Sequence, residues 1–182
     1  MLSDKKPGLR SSSLDDVDAI KNLIALSARE LSRGYYSDHQ VEAAIAYVFG
    51  VDTTLIADRT YFVAKADGLI VGCGGWSKRR TLFGGDQYTS RDSAFSDPAV
   101  DAAKIRAFFV HPCHARLGIG RLLLDRCEGE ARGAGYKAAE LMSTLPGVSF
   151  YSSRGYISGE PTMVTAGDGI KIEFVPMKKS LE

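Results

Sequence analysis

The sequence predicts one mixed α/β (α+β) domain, and three observations carry that expectation. Two capped amphipathic segments follow one another near the N-terminus, and an Asp67-Gly68 pair joins two β-rich runs. After a long polar stretch, apolar runs of strand length then alternate with runs of helical period. The chain has 182 residues, 45% hydrophobic and 25% charged. That is an ordinary soluble composition, and a chain of this length buries about 70% of its unfolded surface without disulfides or a structural metal.

Ser13 and Asp16 stand at capping-box spacing ahead of Val17, Ile20, Leu23, Ile24 and Leu31, which share one helical face. A first helix is expected to run to about Leu31. After Gly34, Ser37 and Gln40 repeat the spacing before Val41, Ala44, Ile45 and Val48, predicting a second helix with Tyr35 and Tyr36 at its mouth. Residues 61–66 and 69–76 flank Asp67-Gly68, a dipeptide that readily takes the positive φ angles of a type I′ turn, so two antiparallel strands follow. Gly72, Gly74 and Gly75 in the second of them imply a bulge or a close backbone approach. Residues 79–101 are polar and rich in Gly, Ser and Asp, and read as a long mobile loop insertion. Residues 104–110 alternate as a strand, and Ile119, Leu123, Cys127 and Ala131 mark one face of a helix that ends before Gly135. A strand over 138–143, a short helix over 147–154, a hairpin turn at 166–169 and a last strand over 170–175 complete the order. All 182 residues are thereby assigned to a single domain with its insertion at about 79–101.

Lys plus Arg number 23 against 22 for Asp plus Glu, so no charge excess holds the protein on nucleic acid by counterion release. No apolar run approaches the roughly 20 residues of a bilayer crossing, and residues 1–7 are polar with no hydrophobic signal segment behind them. A cytoplasmic protein without nucleic-acid or membrane partners is expected. Cys73, Cys113 and Cys127 are odd in number and lack a CxxC pair, as befits free thiols in a reducing compartment. The adjacent Cys113-His114 pair has poor geometry for a tetrahedral zinc site, and no metal is expected.

The stretch that carries chemistry is IRAFFVHPCHARLGIGR, residues 105–121. A strand runs into His111-Pro112, and a turn holding Gly118 and Gly120 then opens a helix. The first helical turn leaves backbone amides without intrahelical partners and carries partial positive charge, so it attracts phosphates. Glycine lets a phosphate approach with no Cβ in the way, and Arg116 and Arg121 bracket the turn. A dinucleotide fingerprint would need a third glycine where Leu123 stands, and no GK[ST] Walker sequence is present, so neither NAD nor ATP has motif support.

The run Arg106-Ala107-Phe108-Phe109-Val110-His111-Pro112, with Ala115-Arg116-Leu117-Gly118-Ile119-Gly120-Arg121 after it, resembles the acetyl-CoA motif of the GNAT superfamily of N-acetyltransferases. Phe150-Tyr151-Ser152-Ser153-Arg154-Gly155-Tyr156 resembles that family's Phe-Tyr-x-x-x-Gly-Phe signature. The resemblance extends over nearly the whole element order. It implies a mixed, mostly antiparallel central sheet with helices on both faces, and acetyl-CoA as cosubstrate. Phe108, Phe109 and Val110 match the splayed strand that pairs with the pantetheine arm. Leu117, Gly118, Ile119, Gly120 and Arg121 match the pyrophosphate amides, with Arg116 beside them. Tyr151 matches the general acid that reprotonates the departing thiolate, a proton transfer that a phenol can make. An amide near Phe109 or Val110 is expected to stabilise the developing oxyanion.

Three departures stand out: Ala115 at the first motif position, Thr144-Leu145-Pro146 where many members carry an Asn, and no carboxylate on the strand over 105–110. Glu140 on the following strand is the nearest candidate base. A one-residue shift in alignment would turn it to the other face, since strand side chains alternate. His111 is the other titratable group in reach, but a His-Pro turn commonly spends its imidazole on the backbone.

The regions that bind the acceptor in the resembled family offer Tyr35, Tyr36, Trp76, Phe83, Asp86 and Tyr88. Aromatic rings with carboxylates suit a small cationic amine, although the aromatics serve equally as core or rim packing. The expected activity is direct transfer of acetyl from acetyl-CoA to a primary amine of a small molecule or peptide, by a protein for which a homodimer is compatible with the family. The alternative is a non-catalytic acyl-CoA sensor or interaction module of the same fold.

Overall fold

A computed structural model describes residues 7–182. The expected first cap forms. The Asp16 carboxylate accepts the Ser13 amide at 2.8 Å and pairs with Arg10 at 2.6 Å, and a short 3-10 turn over Leu14–Asp16 leads into α1, Val17–Leu31. In α2, Asp38–Tyr47, the Gln40 amide donates to the Ser37 hydroxyl at 3.2 Å while the Gln40 side chain accepts the Ser37 amide at 3.0 Å. A third helix, α3 over Thr53–Ala57, was not expected; Asp52 caps it by accepting the Thr54 amide at 3.0 Å. Five residues are too few to show a helical period, and its buried Leu55 and Ile56 are adjacent.

The strands are β1 Gly8–Ser11, β2 Tyr61–Ala66, β3 Leu69–Ser77, β4 Ala103–Val110, β5 Ala138–Thr144, β6 Ile157–Ser158, β7 Thr162–Thr165 and β8 Lys171–Ser180. Two further helices follow β4 and β5: α4 Ile119–Gly133 and α5 Val148–Ser153. The Asp67-Gly68 turn has φ 49° and 83°, as its primed geometry requires. The sheet order is β1-β2-β3-β4-β5-β8-β6, with β7 also on β8. Only β4 and β5 run parallel, so the sheet is mixed and mostly antiparallel. Strand alternation divides the core. Phe62 and Ala64 pack under α4, whereas Tyr61 and Val63 pack with Ile20, Leu23 and Ile24 of α1 on the opposite face. A third cluster joins α2 to β7 and β8 through Val41, Ala44, Val164 and Ile172.

Residues 79–101 contain no helix or strand, yet they are not the free excursion the composition suggested. Arg79 holds Asp58 at 2.7 Å, Arg91 holds Asp52 at 2.8 Å, Gln87 donates to the Phe49 carbonyl at 2.5 Å, and Ser96 meets the Tyr136 hydroxyl at 2.8 Å. Three of these anchors lie within residues 49–58 around α3 and the fourth, Tyr136, follows α4, so the segment is pinned along its length.

Two irregularities in the middle of the sheet position the site. Cys73 pairs with Phe109 and Gly75 with Arg106, so Ala107 and Phe108 of β4 together oppose the single residue Gly74. This is a β-bulge, with Ala107 at φ 55°. A Cβ on Gly74 would fall 2.6 Å from the Phe108 ring, which explains the glycine. Gly72 serves a different purpose: a Cβ there would lie 2.4 Å from Ile119 Cγ2, so the missing side chain lets the first residue of α4 press onto β3. Gly72→Ala is therefore expected to destabilise the fold by about 1–3 kcal/mol, the usual range for overpacking a core. Urea unfolding checks this, and an unchanged midpoint would mean that α4 does not rest on β3.

Candidate active site

The turn before α4 is built from backbone conformations that few residues adopt. Arg116 has φ 67° and Gly118, the N-cap residue, has φ 84°, in the left-handed region that glycine enters without penalty. No side chain caps the helix, so the amides of Ile119, Gly120 and Arg121 have no intrahelical partner and point past the helix end. A Cβ on Gly120 would sit 3.2 Å from the Phe150 ring, so α5 closes one side of the turn. The arginine side chains add positive charge: Arg116 and Arg121 are exposed, and Arg154, the residue after α5, joins them at the same cleft while holding Asp125 at 2.9 Å. Arg154 lies inside the Phe-Tyr motif, and only its place at the C-terminal end of α5 brings it to this cleft.

The cleft itself comes from a failure of pairing. β4 and β5 are in register only at Ala103 with Ala139 and Lys104 with Glu140. After Lys104, ahead of the bulge, the pairing ends, and between the two strands opens a cavity of about 810 Å³, large enough for a ligand of cofactor size. Its walls include Phe108, Phe109 and Val110 on one side and residues 141–144 on the other. The His111 amide donates to Val71 on β3 at 2.9 Å, so the preceding amide, that of Val110, faces away from β3. It donates to the Ser27 hydroxyl at 3.3 Å, a long bond.

Tyr151 lies in the wall of this cleft, buried, with its ring edge-on to Phe108 at 6.3 Å and to Phe150 at 5.0 Å. No hydrogen bond to its hydroxyl is found among the described residues. Burial raises its phenol well above the ordinary tyrosine range, with a small further push from Cys127. Glu140 is elsewhere. It forms an ion pair with Lys104 beside the paired end of β4 and lines a separate surface depression with Lys178 and Ser180 rather than the cleft. His111 accepts the Cys113 amide at 3.2 Å through Nδ1, the backbone use expected of a His-Pro turn. Leu117, exposed in the turn, is absent from the cleft wall, although its neighbours on either side line it.

The far end of the cleft corrects the expectation for the acceptor. Tyr35 and Phe83 line it, but Tyr36 and Trp76 do not. The Tyr36 hydroxyl donates to the Glu173 carbonyl at 2.6 Å and accepts the Leu145 amide at 2.9 Å, and Trp76 packs in the α4 core with Nε1 on Glu130 at 3.0 Å. Tyr88 supports Phe83 from behind at 4.9 Å, and Asp86 is turned away to Arg91 and the Thr53 amide. Phe49, Phe174 and Arg106 take up the wall instead. Arg106 is almost fully buried, with Nη1 2.8 Å from the fully buried Asp52 and Nη2 on the Gly84 carbonyl. Burial pulls its guanidinium below the ordinary value, opposed by Asp52. Among the described residues no Asp or Glu lines the cleft, and no group of three or more His, Cys, Asp or Glu is gathered to hold a metal. The three cysteines are free, and among the described residues no helix is long and apolar enough to cross a membrane.

A parallel strand pair that opens into a cleft beside a glycine turn at a helix N-terminus is the centre of this fold. The chain belongs to the acetyltransferase (GNAT) family, which it matches over residues 23–156. Solved structures agree. A GCN5-related N-acetyltransferase from Rhodopseudomonas palustris superposes with TM-score 0.72 at 21% identity, covering 99% of this chain and 98% of the other. The PaiA N-acetyltransferase from Thermoplasma acidophilum, solved in complex with coenzyme A, gives TM-score 0.64 at 15% identity over 97% and 99%. A ribosomal-protein alanine N-acetyltransferase from Escherichia coli gives 0.59 at 14% over 97% and 94%. No curated protein matches the chain.

Replacing Gly118 tests the turn. Valine at φ 84° is strained by about 1–2 kcal/mol and can relieve that strain only by reshaping the loop. Gly118→Val is expected to weaken acetyl-CoA binding by about 10-fold or more in calorimetry while circular dichroism stays native. Unchanged affinity in a folded variant would remove the turn from the binding site.

Proposed function

We propose that the protein transfers an acetyl group from acetyl-CoA to a primary amine of a small molecule or peptide by direct attack while both are bound. The divergence of β4 from β5 next to an uncapped glycine turn carries this reading, because it leaves two sets of backbone groups free toward one cleft. The amides of residues 117–121 take the pyrophosphate, and Arg116, Arg121 and Arg154 screen its charge. The unpaired edge of Phe108, Phe109 and Val110 bonds the pantetheine amides as a neighbouring strand would. When bound, acetyl-CoA supplies the electrophile: a C–N bond forms at its carbonyl carbon, the C–S bond breaks with the electron pair on sulfur, and one proton passes overall from nitrogen to sulfur.

The chain contributes positioning and proton control. Holding amine and thioester together makes the encounter effectively unimolecular. The Val110 amide exchanges its long bond to Ser27 for the developing oxyanion. Tyr151 gives the proton to sulfur. Its burial raises the basicity of its phenolate, but a thiolate released into the same apolar wall is destabilised as well, so the transfer stays within reach. Glu140 keeps Lys104 as its partner, and the amine loses its proton to water before attack. A cytoplasmic location belongs to the same proposal, in keeping with the free cysteines.

The absence of carboxylates from the cleft is the observation that favours the alternative, an acyl-CoA sensor. Thiol release separates the two. Tyr151→Phe is expected to lower kcat by about 10-fold or more and to leave KM for acetyl-CoA within about 2-fold, the pattern of an interaction made in the transition state. Unchanged kcat would remove the acid role. Because the phenol stays protonated well above its usual pKa, the wild-type enzyme is expected to keep its kcat as pH rises from about 7 to 9. A fall in that window would mean that a more acidic group supplies the proton.

A further inference from the structure

From the composition of the cleft wall we infer that the acceptor is a primary amine with an apolar, aromatic-sized tail and no second positive charge. The inference rests on the proposed acetyl transfer only in calling the ligand an acceptor; the binding preference stands on the wall itself. Phe49, Phe83 and Phe174 form one cluster at the end of the cleft away from the glycine turn: Phe49 meets Phe174 edge-on at 6.1 Å, and Phe83 stacks on Phe174 at 6.0 Å with their planes 24° apart. Tyr35, 55% exposed, stands at the rim.

Charge decides which amines this end admits. Its charged side chain is Arg106, no carboxylate lines the cleft among the described residues, and those that Arg106 and its neighbour Arg91 contact are already committed: Asp52 to Arg106 and Arg91, Asp86 to Arg91 and the Thr53 amide. A diamine or polyamine would bring a second ammonium into this wall with no anion to meet it and a guanidinium close by. Desolvating an unpaired charge in such a place costs more than a short alkyl chain returns by burial. An aryl or alkyl tail instead gains about 25 cal/mol per Å² of apolar area removed from water. The same surroundings favour the neutral form of the reacting amine. They do part of the work a carboxylate base performs elsewhere, which fits a cleft without one.

Calorimetry on the CoA-loaded protein, with phenethylamine and putrescine as probes, tests this without requiring turnover. Phenethylamine is expected to bind about 10-fold or more tightly than putrescine, and its affinity to rise between about pH 7 and 9 as the neutral form grows. Phe83→Ala is expected to weaken phenethylamine without improving putrescine. Tyr35→Glu, a change at the exposed rim, is expected to narrow the ratio by giving the second ammonium a partner. Putrescine binding as tightly as phenethylamine, or neither amine binding, would overturn the inference. Thiol release from acetyl-CoA is then measured with phenethylamine: tight binding without release would leave the substrate class standing and refute the transfer reading alone.

Discussion

The bulge at Ala107 and Phe108 fixes the backbone of β4 within the stretch where the central sheet stands open. An alanine at φ 55° costs about 1–2 kcal/mol relative to ordinary strand geometry. The fold offsets that cost locally. The Ala107 carbonyl, turned out of the ladder, accepts the buried Tyr61 hydroxyl at 3.2 Å and the Cys73 thiol at 3.8 Å, and a neutral hydrogen bond of the first kind contributes about 0.5–1.5 kcal/mol. β4 pairs with β5 at two positions, the second at Lys104, and the bulge lies within the unpaired stretch that follows. The backbone beyond the bulge is left to a ligand.

The glycine turn depends on the same strand pair. Gly72 sits opposite Val110 in β3 and lets Ile119 approach, so the strand that registers the bulge also fixes the start of α4. The unpaired edge of β4 and the free amides of α4 are thereby set against one another by a single short stretch of β3. Arg106, one residue before the bulge, extends this frame in the other direction. Through Asp52 and the Gly84 carbonyl it ties α3 and the long segment 79–101 to β4, and so shapes the far wall of the cleft.

Much of this was legible in the sequence, for reasons that are local. Caps at Ser13 and Ser37, the Asp67-Gly68 turn and the helical face of Ile119, Leu123, Cys127 and Ala131 each state their geometry within a few residues. The glycine turn did so too, because the need for positive φ at Gly118 is a property of that one position. What escaped were features too short for a period, such as α3 and β7, and those made by distant segments meeting. Glu140 alternates correctly on β5, yet its partner is fixed by the parallel register with Lys104, which neither strand alone reveals. Phe49 and Phe174 are far apart in the chain and become one wall only because α2, β8 and β4 converge. The polar composition of 79–101 pointed to mobility, since nothing local marks Arg79 or Arg91 as anchors to the aspartates that flank α3.

The proposed acceptor end and the proposed cofactor end of the cleft thus arise from different physics, one from apolar packing around a committed ion pair, the other from backbone groups left without partners. The claim on which both rest is that acetyl-CoA lies along the open edge of β4 with its diphosphate on the turn. Backbone amide NMR during titration with acetyl-CoA tests it most directly. The account predicts that the largest shifts and the greatest gain in exchange protection fall on residues 108–110 and 117–121. Saturable binding that leaves these amides unmoved, or no binding, would contradict it.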